Sequence, residues 1–167
     1  MNENPVKNLV EVFNDEIRLF NRLLDLLSAE QTALLEDDLE AIEGVVVEKR
    51  QVAEEATRLE LARRQAVEDV SQRLDMGPGD TSLGRIIEAM DSGTGEELNG
   101  MRQMLVDLNT RIRQANESNA FLIRQSRRYT DRCLNILTGR SDDRNRYGKS
   151  GHRRPGAAGR PLLNRMA

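Results

Sequence analysis

Few residues of this chain have the types and spacing for bond-making chemistry. His152 is the only histidine and lies in the polar C-terminal stretch, so no paired imidazole site can be assembled. Cys133, the only cysteine, falls on a helical seam and reads as a buried, inert thiol. A single cysteine also excludes an intramolecular disulfide and a cysteine-based metal cluster. The adjacent acids Asp37-Asp38, Glu54-Glu55 and Glu96-Glu97 fall at helical positions where caps and solvated charges are the ordinary use. No glycine stands in the strand–Gly–helix setting of a phosphate loop. No catalytic residue, metal site or cofactor is expected, and the chain does not read as an enzyme. The chemistry left is recognition. Amides interrupt an apolar run at Asn116-Glu-Ser-Asn119-Ala-Phe-Leu122-Ile123, and one aromatic ring follows in a polar stretch, at Tyr147-Gly148.

These groups need long helices to position them. Steps of three and four from Leu98 land on Met101, Leu105, Leu108, Ile112, Ala115, Asn119, Leu122, Ser126, Tyr129, Cys133 and Ile136. This heptad seam turns one side of a long helix toward other helices. An earlier seam runs through Val10, Phe13, Ile17, Phe20, Leu24, Leu27, Gln31 and Leu34, entered at Asn4-Pro5. Asn is suited to capping, and Pro is tolerated in the first turn. Glu36-Asp37-Asp38 breaks the pattern, with Asp37 and Glu40 spaced as a capping box. A weaker stripe follows: Leu39, Ile42, Val46, Lys49, Val52, Ala56, Leu59, Ala66, Val70 and Leu74. The run Val45-Val46-Val47 beside Gly44 lowers helix preference. It still reads as helix, because no second strand exists to pair with it. Met76-Gly77-Pro78 is a stop signal with glycine just past the last turn. Thr81 or Ser82 then caps a short helix over 83–90, and Thr94 with Glu97 opens the long one, which Gly139 closes.

The fold expected is therefore all-α: an antiparallel bundle of about three long coiled-coil-like helices with a short extra helix, over residues 1–139, and a disordered basic tail over 140–167. Composition agrees. Charged residues make up 32% of the chain, aromatics 3%, and Trp is absent, which is the balance of long helices rather than an aromatic-filled globule. Charge divides at the same point. Residues 1–139 hold 17 Lys+Arg and 26 Asp+Glu, giving −9, and residues 140–167 hold 8 and 2, giving +6. The tail is too poor in apolar residues to offset its ordering cost. Its positive charge could meet nucleic acid, an acidic membrane surface, an acidic protein or the chain's own acidic body. The readings are docking to a protein through Tyr147, with Leu162, Leu163 and Met166 as a second, weaker anchor, a solvated tail without a role, or contact with nucleic acid. A lone tyrosine is no stacking platform and the body is acidic, so nucleic acid is not the expected partner. The chain begins without a basic–apolar leader and holds no run of some 20 apolar residues, so a soluble cytoplasmic protein without membrane insertion is expected. Asn119 has two readings, a buried amide that fixes helix register or a contact to a partner helix, and Asn116 is placed to share its hydrogen bonds.

The ordered pieces resemble the flagellar type III export chaperone family FlgN. They are the run Leu24–Leu35 with Glu30, the acidic-Leu entry to the second helix followed by Lys49, Asn116-x-x-Asn119-x-x-Leu122-Ile123 on the last long helix, and Tyr147-Gly148-x-x-Gly151 after it. The ending after Gly151 is longer and richer in Arg than the usual pattern, and the stretch near 77–95 is richer in Gly and Pro. The resemblance implies a cytoplasmic chaperone for the hook–filament junction proteins FlgK and FlgL. It implies that C-terminal helical segments of these proteins are held export-competent on the last helix and the following tail. It further implies delivery to the export gate, with Tyr147 meeting the cytoplasmic domain of FlhA. Partner contacts are accordingly expected at Asn116, Asn119, Leu122, Ile123, Tyr147 and Gly148. The rival from a different class is a structural or adaptor coiled coil that works by self-association, and the third is a tail-driven nucleic-acid binder.

Overall fold

A computed structural model describes residues 4–77 and 82–138. The described chain is all-α, with four helices in the order α1 (Pro5–Glu36), α2 (Leu39–Arg73), α3 (Leu83–Glu88) and α4 (Ser92–Leu137), and no strand occurs among the described residues. The chain divides into two compact units, Met1–Ala120 and Phe121–Ala167, and the boundary falls within α4. The expected division at 139/140, the closing Gly139 and the tail lie outside the described residues.

Asn4 opens α1 by accepting from the Val6 amide, with Pro5 in the first turn. The link to α2 is two residues long. Asp37 is left-handed at φ 54°, ψ 32° and ends α1. Asp38, not Asp37, caps α2, taking the Ala41 amide on Oδ1 at 3.0 Å. Two residues leave room for one reversal only, so α1 and α2 form an antiparallel hairpin. The pairs Glu16–Arg63 and Glu30–Lys49 cross it in matching register. α2 ends earlier than the glycine signal indicated. Asp75, not Gly77, is the left-handed residue, at φ 51°, and the Met76 amide reaches back to the Ser71 carbonyl. Asp can occupy this conformation because its short polar side chain tolerates it.

α3 is shorter than expected and is capped by Ser82. α4 begins at Ser92 rather than at the Thr94 cap. Asp91 accepts from both the amide and the hydroxyl of Thr94, at 3.0 and 2.9 Å, and these bonds hold its carboxyl below the usual range. Gly95 sits under α3, where a Cβ would stand 3.1 Å from the Ile87 carbonyl oxygen. That close approach lets Ile86 reach the core.

The first unit has two cores. One joins Leu9, Val12 and Phe13 of α1, Ala66 and Val70 of α2, Ile86 of α3 and Leu98 of α4. The other lies along the hairpin and consists of Leu19, Leu26, Val45 and Val52, with Leu23, Ala56 and Leu59 against them. Full burial of such side chains contributes about 1.5–3 kcal/mol each. The valine run is helical throughout, with Val45 buried where Val46 was expected, and Val46 and Val47 exposed.

One expectation for α1 is corrected. The buried stripe is Leu9, Val12, Phe13, Glu16, Leu19, Leu26, Leu27, Glu30 and Ala33. Of the apolar seam read from sequence, Phe13 and Leu27 are buried and the other members are half-buried. The helix is rotated so that two glutamates face inward, because each finds a cation on α2.

Candidate partner-binding site

The interior of the first unit carries a polar crossing that ties three segments together. Glu30 on α1 is buried, and both its carboxylate oxygens accept from Lys49 Nζ on α2, at 3.0 and 2.8 Å. Asn119 on α4 is 3% exposed. Its Nδ2 donates to Glu30 Oε2 at 2.9 Å and to the Leu27 backbone carbonyl at 2.8 Å. Both partners only accept, so the amide orientation is fixed, with nitrogen toward α1. Asn119 Oδ1 is buried and has no hydrogen-bond partner among the described residues. Beside it on the surface, the neighbouring residues bond as well, Gln31 Nε2 donating to Ser118 Oγ at 3.3 Å. Leu9 and Phe13 share a core cluster with Leu98 at one level, and Leu27 and Glu30 meet Asn119 at another, so the part of α4 within the first unit runs parallel to α1.

A second crossing lies two heptads earlier on α1. Glu16 pairs with Arg63 at 3.2 Å. Burial, acting against the Arg63 charge, pushes the Glu16 carboxyl above its ordinary value. Arg63 also hydrogen-bonds Glu60; that bond holds the Glu60 carboxyl down. The two crossings bracket the hairpin core. In a helical pair with few aromatic residues to set registry, polar pairs at fixed levels do so.

Asn116 is exposed and makes no hydrogen bond among the described residues. The network expected of it with Asn119 is instead built from Glu30, Lys49 and Leu27. Glu30, Lys49 and Asn119 stand in three separate motifs of the sequence, and the structure brings all three together.

The second unit, taken by itself, holds Leu122 half-buried and Ile123 exposed. From Ile123 to Thr138 only Cys133 is less than exposed. Tyr129 is 72% and Ile136 74% exposed, and Phe121, Leu134 and Leu137 are each more than half exposed. Seam residues that would fill a core in a closed bundle thus face outward along this stretch of α4. Nothing in the apolar spacing signalled this, since spacing marks a face without saying what covers it. Cys133, expected to be a buried thiol, is half-buried. Tyr147 and Gly148 lie outside the described residues. No described helix is long and apolar enough to cross a membrane.

A sequence model described as FlgN protein matches residues 1–155. The chain belongs to the FlgN family. FlgN proteins are flagellar export chaperones for hook-associated proteins, a chaperone family rather than an enzyme family. No curated protein and no solved structure matches the chain. Within the FlgN match lie both polar crossings, the outward-facing stretch of α4 and the Tyr147-Gly148 pair.

Proposed function

We propose that this FlgN-family chain works in the cytoplasm, holds the C-terminal helical segments of FlgK- and FlgL-type hook-associated proteins, and hands them to the export gate. The observation that carries the reading is the outward-facing apolar stripe of α4 from Leu122 to Ile136. A stripe at heptad spacing suits an amphipathic helix laid against it. Leu122 and Ile123 are assigned to client contact, and Asn116, exposed on the first unit, to a separate polar contact. Asn119 is assigned an indirect part, holding from inside the bundle the helix that carries these residues. Holding a client needs no nucleotide, because binding alone shifts the equilibrium away from misfolded and aggregated states.

Gate delivery is assigned to Tyr147 and Gly148 on the FlhA cytoplasmic domain. A tyrosine beside a glycine offers a large amphipathic ring, the residue type that most often anchors an interface.

Co-expression with a FlgK or FlgL C-terminal segment, followed by size exclusion, tests the reading. A soluble complex with at least one of them is expected, and failure of both to co-elute with folded protein would overturn it. Tyr147→Ala is expected to keep the client complex and weaken FlhA binding. Equal loss of both would refute the division of labour.

A further inference from the structure

The outward-facing stretch of α4 has two sides, and the polar one is as distinctive as the apolar one. At about 100° per residue, the apolar stripe runs from Ile136 through Tyr129, Leu122 and Cys133 to Ile123. Arg132 and Arg128 follow one edge of the stripe and Arg127 lies along the other. All three arginines are exposed, as is Arg124 behind them, and none makes an ion pair among the described residues. Asp131 is the only acid in the stretch. Residues 121–167 as a whole hold 12 Lys+Arg and 3 Asp+Glu, giving +9, while residues 1–120 hold 13 and 25, giving −12.

From this arrangement we infer that the stripe selects amphipathic helical segments whose flanks are acidic, with Arg127 pairing along one edge of the bound helix and Arg128 and Arg132 along the other. The inference rests on the client-holding reading above and adds the chemistry by which clients are chosen. The stripe's relief favours a helix over a lipid surface as its occupant. Large residues at Leu122, Tyr129 and Ile136 alternate with small ones at Ser126 and Cys133, leaving notches at heptad spacing that the side chains of a second helix fill. A lipid surface has no use for such notches, and nothing in it would require a 3.5-residue period. The arginines supply what the apolar stripe lacks. Apolar burial scarcely distinguishes one amphipathic helix from another, whereas a mismatched flank sets like charges side by side.

The test uses full-length protein and a fluorescent C-terminal segment of a hook-associated protein in three versions. Positions flanking its own heptad core carry Glu, Gln or Lys. Anisotropy is expected to rank Glu above Gln above Lys, with Glu about tenfold tighter than Gln at low salt and the gap narrowing to about twofold at 0.5 M salt. The variant R127E/R128E/R132E, with helix content checked by circular dichroism, is expected to reverse the order. Equal binding of all three peptides by the native protein overturns the charge selection while leaving the client-holding reading intact. If no version binds, the client-holding reading itself falls. Tighter binding to phosphatidylglycerol vesicles than to the Glu peptide, or loss of peptide binding as the protein self-associates, also overturns the inference by naming a different occupant.

Discussion

Asn119 and Glu30, 89 residues apart in sequence, share a hydrogen bond of 2.9 Å in the interior of the first unit. The bond matters because Glu30 also takes both of its oxygens to Lys49. One buried carboxylate thereby fixes the level of α2 and of α4 against α1. A buried ion pair is seldom a large net source of stability, and removing one member is costly because the other stays buried without its partner.

Removing the amide should therefore cost more than its own bond. Asn119→Ala is expected to lower unfolding free energy by about 1–3 kcal/mol, the usual cost of stripping a partner from a buried polar group. Asn119→Asp keeps the size but puts a second carboxylate beside Glu30. It should be worse than the alanine at neutral pH, and the difference should shrink as the pH is lowered and the introduced carboxylate is neutralised. Urea melts at neutral and mildly acidic pH check both statements. An aspartate variant as stable as the native protein would show that the bond has no structural role.

The Glu16–Arg63 crossing makes a separate pH-dependent contribution. Burial raises the Glu16 carboxyl above its ordinary value of 4.5 despite the arginine. The native state then holds this proton more readily than the unfolded chain does. Its contribution to stability is fully present below the ordinary value and is lost as pH rises through the raised one. Glu16→Gln should consequently be within about 1 kcal/mol of the native protein at neutral pH, since Arg63 keeps Glu60 as a partner and a buried charge is removed. It should also flatten the gain in stability seen on acidification toward the ordinary carboxylate range. Asp91 and Glu60, both held below their ordinary values, act the other way at lower pH, and their contribution is lost as pH falls through their depressed values. A destabilisation of several kcal/mol by Glu16→Gln, with an unchanged pH profile, would reverse this account.

Gly44 lies within α2, exposed, and a Cβ there would meet nothing within 4 Å. Gly44→Ala is expected to add about 0.5–1 kcal/mol by lowering the entropy of the unfolded chain. Thermal melting should move up by roughly 2–4 °C per kcal/mol for a chain of this size. Gly95→Ala supplies the contrast. Its Cβ would press on the Ile87 carbonyl, so it should show no such gain.

Much of the fold was legible in the residues. The helix spans, the break at Asp37-Asp38, the helicity of the Val45–Val47 run and the inward position of Asn119 all follow from period, capping residues and the lack of any strand partner. The glutamates of α1 were not legible. A seam written in apolar residues steps over Glu16 and Glu30, and nothing local marks an acid as inward-facing. Its cation comes from another helix, at Arg63 or Lys49, and the two line up only once the hairpin register is set. Two caps, expected at Asp37 and Thr94, moved for a related reason, while Asn4 and Ser82 cap as expected. Asp37 and Asp38 carry the same carboxylate at successive positions, and Asp91, which accepts from the Thr94 amide and hydroxyl, takes the place expected of Thr94. Which of them serves depends on where the chain must turn, and tertiary packing decides that. In the recognition stretch, the amide pair Asn116 and Asn119 looked like one feature. Three residues along a helix leave them about 60° apart on one side, and the narrow strip of α4 that meets α1 takes in Asn119 and leaves Asn116 exposed.

The two-residue link between α1 and α2 bears on the order in which the molecule can be made. Glu30 and Lys49 are 19 positions apart, so the carboxylate and its cation leave the ribosome nearly together, and closing so short a loop is fast. The whole hairpin is complete at Arg73, before any of α4 has been synthesised. The acceptor atoms that Asn119 needs are thus in place before Asn119 exists. The last helix, the one assigned to clients, arrives at a receptor that the first half of the chain has already built.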